Sequence, residues 1–267
     1  MTQAAFAPAE TLRLQPYTDH CRVIADEGAH VVIGVSPGNS YFTAQRLREL
    51  TRWGLDHFDQ VDLVYTDLHV ADMYESLGYG ADEARRKAVK NLRGVRAKVG
   101  AAAAEADPTG VRVRARGMSE FTDVPAYREL HRTVLDAVAA DPMVRETCDA
   151  LTGIFLAGKL APGQRTDERQ REVCRAYICA EVPLFLDTPA ILGVPSSLNC
   201  YHQALPLADL LYGRGSGLRA SRNQGHGILT PADAPAPDLG GTTSTTSTTG
   251  LTSTTDPIGT TDRGAAR

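Results

Sequence analysis

A serine at position 36 closes the apolar run His30-Val31-Val32-Ile33-Gly34-Val35 and is followed at once by Pro37-Gly38-Asn39-Ser40-Tyr41. The run reads as a buried strand, the Pro-Gly pair as a turn, and the segment from Tyr41 as a helix. A hydroxyl at a strand-to-helix handover sits at the rim of a sheet, where α/β proteins place ligands and nucleophiles. Gly34-Val35-Ser36-Pro37-Gly38 also fits G-x-S-x-G, the nucleophile elbow of serine hydrolases. Two features oppose that reading. The residue after the serine should donate its N–H to an oxyanion, and Pro37 has none. The elbow also follows several strands, whereas this serine ends the first apolar strand visible in the chain. A Ser-Pro-Gly turn without chemistry stays open. A phosphate cradle has less support, because neither G-x-x-x-x-G-K-[ST] nor G-x-G-x-x-G follows the strand.

A second group of reactive side chains lies in Tyr177-Ile178-Cys179-Ala180-Glu181-Val182-Pro183. Tyr177 and Glu181, four residues apart on a helix, share a face. The flanking residues are apolar all round, so the helix is buried, and a buried carboxylate is costly unless it meets a cation or serves a site. One reading is a core Glu paired with an Arg. The other is a carboxylate that binds an ammonium group and moves protons, with a phenol beside it. Pro183 cannot donate to the carbonyl of Cys179, which leaves that oxygen for a kink or a ligand. Further on, Ser196 to His202 reads as a strand. Alternation puts Ser197, Asn199 and Tyr201 on one side and Leu198, Cys200 and His202 on the other, so Tyr201 and His202 should not share a pocket.

Strands expected at about 29–35, 61–66, 111–115 and 196–202, with helices at about 41–58, 81–105, 124–139, 142–158 and 166–186, give the alternation of a three-layer α/β domain with a mostly parallel sheet. Residues 1–18 read as a flexible lead-in and 19–228 as one catalytic domain. From about 229 the chain turns to Pro, Gly, Ser and Thr, which cannot offset its ordering entropy, so 229–267 reads as a disordered tail. With 42% apolar and 6% aromatic residues the 267-residue chain suits an ordinary core. No run reaches the ~18 apolar residues of a membrane span, and no basic-then-apolar leader opens the sequence. The five cysteines (21, 148, 174, 179 and 200) form no C-x-x-C pair, so neither a zinc site nor a disulfide framework is expected. A reducing, cytoplasmic compartment follows, with Cys174 and Cys179 as packing residues.

The net charge of −4 argues against generic nucleic-acid binding, but residues 81–100 hold seven basic and two acidic residues, a local +5 that leaves −9 for the remainder. Ala88, Leu92, Val95 and Val99 share one helix face. Arg86, Lys90 and Arg93 lie opposite, flanked by Arg85, Lys87, Arg96 and Lys98. A merely solvated helix mixes acids among its bases, and this one has almost none after Glu83. The segment therefore reads as a polyanion-binding face suited to RNA phosphates, which Arg112, Arg114 and Arg116 on the next strand would extend.

Taken together, these segments resemble the cyclodipeptide synthases. The family's signatures are H-x-[LVI]-[LVI]-G-[LVI]-S and Y-[LVI]-x-x-E-x-P. They are matched at every position by His30 to Ser36 and by Tyr177 to Pro183, about 140 residues apart. Asn39, Tyr201 and His202 match the Asn-Tyr-His subfamily, and the basic helix occupies the corresponding place. Coverage runs from about residue 20 to 220; the Thr-rich tail lies outside it. The resemblance implies a Rossmann-like domain similar to the catalytic domain of tyrosyl- and tryptophanyl-tRNA synthetases. Their ATP-binding H-I-G-H and K-M-S-K-S segments are missing from this chain.

The implied substrates are two aminoacyl-tRNAs, with no metal or other cofactor, no membrane, and a monomer as the simplest state. The implied course is ping-pong, through an aminoacyl- and then a dipeptidyl-enzyme on Ser36, to a diketopiperazine. On the same basis Tyr177 and Glu181 hold the α-ammonium group and Tyr201 relays protons. Gly34 gives the substrate room, Asn39 and His202 hold the surrounding shell, and Tyr127 belongs to the pocket. Asn199 shares a strand face with Tyr201, which puts its polar group in the same otherwise apolar pocket. Arg85, Arg86, Lys87, Lys90, Arg93, Arg96 and Lys98 contact tRNA. A serine esterase or thioesterase, and a non-catalytic tRNA-binding relative of the synthetases, are the competing functions. Pro37 and the basic helix weigh against the first of these, and the intact Ser36, Tyr177, Glu181 and Tyr201 set against the second.

Overall fold

The apolar run that ends at Ser36 is an inner strand of a six-stranded sheet. The computed structural model describes residues 12–160 and 165–235. The strands are β1 (Leu12–Pro16), β2 (His30–Val35), β3 (Gln60–Tyr65), β4 (Val113–Gly117), β5 (Ser197–Tyr201) and β6 (Gln224–Pro231), in the spatial order β1-β6-β5-β2-β3-β4. All neighbours pair in parallel except β1, which runs antiparallel to β6 with Leu14 opposite Leu229. The expected lead-in thus contains an edge strand at residues 12–16, and the last strand runs three residues into the expected tail. Residues 236–267 of that tail lie outside the described residues. With β1 ahead of it, β2 is the second strand of the chain.

Parallel strands buried on both faces are near-continuously apolar, as β2 and β3 are. Odd-numbered residues (Val31, Ile33, Val61, Leu63) pack with Leu198 and Cys200 against helices α1 (Asp19–Glu27), α2 (Ala44–His57) and α4 (Ala81–Ala106). The other face meets α5 (Pro125–Ala140), α6 (Pro142–Ala157), α7 (Glu168–Leu192) and α8 (Pro206–Tyr212), while α3 (Val70–Ser76) lies between α4 and α7. Each fully buried Val, Leu or Ile contributes about 1.5–3 kcal/mol. The expected helices coincide with α2 and α4 to α7; α1, α3 and α8 were not expected.

On the pocket side, a chain of polar groups crosses four strands. His30 Nδ1 lies 2.8 Å from Ser197 Oγ, its Nε2 lies 2.9 Å from Asp62, and Arg116 Nε donates to Asp62 at 2.7 Å. Asp62 is buried, which by itself disfavours its charge, yet its pKa lies below the ordinary value because His30 and Arg116 stabilise the carboxylate. The histidine of the first signature is therefore a structural clamp. Arg116 is committed to it, and Arg112 is bonded to the carbonyls of Leu55, Phe58 and Asp59, so neither extends the basic face.

Helix α7 is interrupted by Pro183, Pro189 and the non-helical backbone of Asp187. Pro189 removes the donor for the Phe185 carbonyl, and the Tyr212 hydroxyl takes its place at 2.8 Å. The Tyr127 hydroxyl donates to Ala180 at 2.8 Å, and the amide of Thr188 donates to Gln224. The helix that carries Tyr177 and Glu181 is thus held by side chains from α5, α8 and β6.

Candidate active site

The C-terminal ends of β2, β3 and β5 open into one cavity of about 480 Å³. It lies where the chain order on the sheet reverses, between β2 and β5, the usual ligand position in open α/β sheets. Gly34 and Ser36 come from β2 and its turn, Thr66 from the end of β3, Asn199 and Tyr201 from β5, and Tyr177 and Glu181 from α7. Val32, Val64, Met118 and Leu184 form the apolar floor, and Leu151, Ile154 and Phe155 of α6 the outer wall.

The Ser36 turn explains the sequence around it. The Asn39 amide donates to the Ser36 carbonyl at 3.2 Å, and Gly38 has φ +78°. Proline then glycine with positive φ at the central positions is a type II pattern. It presents Ser36 Oγ to Tyr201, whose hydroxyl lies 3.0 Å away. Burial pushes the Tyr201 phenol up to about 12. Asn39 bonds to Tyr201 and offers Nδ2 to His202 Nε2 at 3.3 Å, while its Oδ1 accepts from the Tyr41 amide at 2.9 Å. His202 stacks on Tyr41, with ring centroids 4.1 Å apart, and burial lowers its pKa to about 4. It is neutral near pH 7 and accepts from Asn39. It lies just past the end of β5, with its ring centroid 4.5 Å from that of Tyr201, and does not line the cavity.

On α7, Tyr177 and Glu181 do share a face. Glu181 accepts from the Thr66 hydroxyl and from Tyr177. Burial raises the Glu181 pKa, opposed by those two bonds. No ion pair to Glu181 forms among the described residues; Lys159, partly desolvated, lines the same cavity. The cavity therefore combines a serine hydroxyl, a phenol beside it, and a carboxylate–phenol pair suited to one small cation.

Tyr127 is a correction. It is buried beside Phe121 and Leu184, spends its hydroxyl on Ala180, and is not part of the pocket lining. Thr66, Lys159 and the α6 wall were missed: a single threonine or lysine carries no spacing signal, and α6 reads only as an amphipathic helix.

The basic segment is α4, which buries Ala84, Ala88, Val95 and Val99. Arg85, Arg86, Lys90 and Arg93 flank a shallow groove on its exposed side. The remaining basic residues have local duties. Lys87 sits over the Tyr79 ring at 4.4 Å, Arg96 donates to the Tyr65 hydroxyl, and Lys98 donates to the Phe42 carbonyl. Among the described residues no cluster of acids, histidines and cysteines could hold a metal, all five cysteines are free and buried, and no helix is long and apolar enough to cross a membrane.

A parallel α/β sheet with a serine and a tyrosine at its switch point, facing a helix-borne carboxylate, defines a Rossmann-like group-transfer enzyme. Residues 12–231 match the cyclodipeptide synthase family model, and the chain belongs to that family. It is 60% identical over 227 residues to the cyclo(L-tyrosyl-L-tyrosyl) synthase of Mycobacterium tuberculosis, covering 85% of this chain and 78% of that one. The cyclo(L-leucyl-L-phenylalanyl) synthase of Streptomyces noursei is 30% identical over 85% of this chain and 95% of its own. A solved Mycobacterium tuberculosis structure, described as showing that cyclodipeptide synthetases are related to type I tRNA synthetases, superposes with a TM-score of 0.77. It is 60% identical and covers 84% of this chain and 95% of that one.

Proposed function

We propose that the protein joins two aminoacyl groups delivered by tRNA into a diketopiperazine, through an ester on Ser36. The observation that carries this reading is the Ser36–Tyr201 contact of 3.0 Å in the same cavity as the Tyr177–Glu181 pair. Ser36 Oγ attacks the carbonyl of the first aminoacyl ester; the tRNA 3′-oxygen leaves with a proton, and the acyl group stays on Ser36. Tyr177 and Glu181 hold its α-ammonium group, and Glu181 accepts the proton that must leave before the amine can react. That amine attacks the second aminoacyl ester, forming an amide and releasing the second tRNA. The new N-terminal amine then attacks the Ser36 ester. The ring closes, and Ser36 Oγ regains a proton through Tyr201. Both acyl donors are already esters, so no nucleotide is consumed.

The exposed bases of α4 fit the tRNA backbone, where each phosphate contact adds sequence-independent affinity. The 60%-identical relative makes cyclo(L-tyrosyl-L-tyrosyl). The apolar floor here suits an aromatic ring, and the Asn199 carboxamide, without a side-chain partner among the described residues, is placed to meet a phenol. Tyrosine is therefore the first acyl group we assign. An esterase reading fits less well, because Ser36 meets a phenol and no imidazole.

The test supplies tyrosyl-tRNA to the wild-type protein and to Ser36→Ala and seeks the diketopiperazine by mass spectrometry, with intact-mass detection of a tyrosyl adduct. The wild type should form both and the variant neither. Undiminished product from the variant removes the covalent route, and turnover of simple esters without product favours the hydrolase.

A further inference from the structure

Two other buried threonines satisfy their hydroxyls locally. Thr51 Oγ1 donates to Leu47, four residues back, and Thr188 Oγ1 to Leu184 in the same way, both at 2.6 Å. Thr66 behaves differently. It is 4% exposed, sits just past the end of β3, and spends its single donor on Glu181, 115 positions away on α7. The Tyr177 hydroxyl is also within hydrogen-bonding reach of Thr66. The neighbouring pocket positions Val32 and Val64 are aliphatic, and a valine at 66 would fill the same volume. What the hydroxyl adds is one directed bond to the carboxylate.

We propose that Thr66 is a positioning residue: its hydroxyl fixes the rotamer of Glu181 and stabilises the ionised carboxylate that receives the α-ammonium group of the first aminoacyl residue. The inference rests on the aminoacyl-transfer reading of the cavity. An ionised carboxylate out of water is stable only with donors aimed at it, and a donor already in place needs no reorganisation when the substrate arrives. Thr66 and Tyr177 supply two such bonds. The other titratable groups facing Glu181 are Cys174 on α7, Tyr127 on α5, Tyr201 on β5, and Lys159, which lines the same cavity beyond α6. With the first three neutral near pH 7, the donor from Thr66 is not duplicated from those elements.

The experiment compares wild type, Thr66→Val and Thr66→Ser. The Glu181 carboxyl is titrated by carbon-13 NMR, with the signal assigned through Glu181→Gln, and kcat/KM for product formation is followed against pH. Thr66→Val should move the Glu181 midpoint to higher pH. It should also cut kcat/KM at pH 7 by roughly ten- to hundredfold, the weight of one hydrogen bond to a charged group. That deficit should shrink as pH rises, and Thr66→Ser should recover most of it. A midpoint unchanged in Thr66→Val overturns the inference, as does a rate loss with a wild-type pH profile. Thr66→Ala removes the same donor and substitutes if the valine variant does not fold. A wild type that makes no diketopiperazine sinks the aminoacyl-transfer reading, while the titration still decides whether Thr66 controls Glu181.

Discussion

Replacing Glu181 with glutamine should make the empty protein more stable and nearly inactive. Burial raises the Glu181 pKa in the folded state, more than Thr66 and Tyr177 lower it. A group whose folded pKa lies above its unfolded value contributes stability that is fully present below the unfolded pKa, near 4.3 for glutamate, and lost as pH rises through the folded pKa. Above its folded pKa the wild type therefore bears the cost of an ionised, partly desolvated carboxylate. Glutamine keeps the shape and an acceptor for Thr66 and Tyr177 without the charge. Relieving such a functional compromise is commonly worth about 0.5–2 kcal/mol. At about 2–4 °C per kcal/mol for a domain of this size, the melting temperature should rise by several degrees. The same change removes the counter-charge for the α-ammonium group, a loss of about 2–5 kcal/mol when one partner of a buried charged pair is deleted, or roughly 30- to several-thousand-fold in kcat/KM. Calorimetry between pH 4 and 8 alongside product assays is the measurement. A variant less stable than wild type at pH 8, or a stability gap that widens toward pH 4, would refute the reasoning.

Three other outcomes follow from the geometry. Asp62→Ala leaves His30 and Arg116 without their shared carboxylate and should cost about 3–5 kcal/mol in denaturant titrations at pH 7. Because the folded pKa of Asp62 is lowered, the difference from wild type should close as pH falls below the ordinary carboxylate range; a constant gap would contradict the clamp. Arg86, Lys90 and Arg93 changed together to Ala should weaken tRNA binding and flatten its salt dependence by about one unit of log–log slope per lost phosphate contact, whereas Arg96→Ala should act more on melting temperature. Gly34→Ala should fold normally, since its Cβ would meet Tyr201 Cδ2 at 3.7 Å and the Cys200 carbonyl at 3.9 Å. The methyl group would stand beside Ser36, however, and product formation should fall at least tenfold by mass spectrometry, on the order of the cost of a small misplacement at a reacting centre.

The two ends of the site were legible for a local reason. At the end of β2, in β5 and in the first half of α7, polar side chains are attached to strong periodic patterns, so alternation and i, i+4 spacing turn Ser36, Asn199, Tyr201, Tyr177 and Glu181 toward one cavity. The strands β6 and β1 on one side of the sheet were not. β6 reads Gln-Gly-His-Gly before its apolar residues, and glycine argues against a strand. The glycines are there because a Cβ at 225 would meet Leu198 at 2.9 Å and one at 227 would meet Leu14 at 2.7 Å, contacts set by tertiary packing alone. β1 depends on the same distant partner. The family position puts Tyr127 in the pocket, but its hydroxyl is committed to the backbone of α7. His30 showed the opposite gap: the motif was visible, while its clamp needs partners 32 and 167 positions away.

The broken helix α7 carries a consequence for how this scaffold can change. Its axis is pinned by hydrogen bonds to the side chains of Tyr127, Tyr212 and Gln224, none of which lines the cavity. The side chains that shape the cavity, such as Val32, Val64, Met118 and Leu184, make no such bonds and contribute only bulk. Frame and lining are thus separable. Swapping one apolar lining residue for another alters which acyl group fits, yet leaves Ser36 and Glu181 at the same separation, so new products are reachable by single substitutions without rebuilding the chemistry.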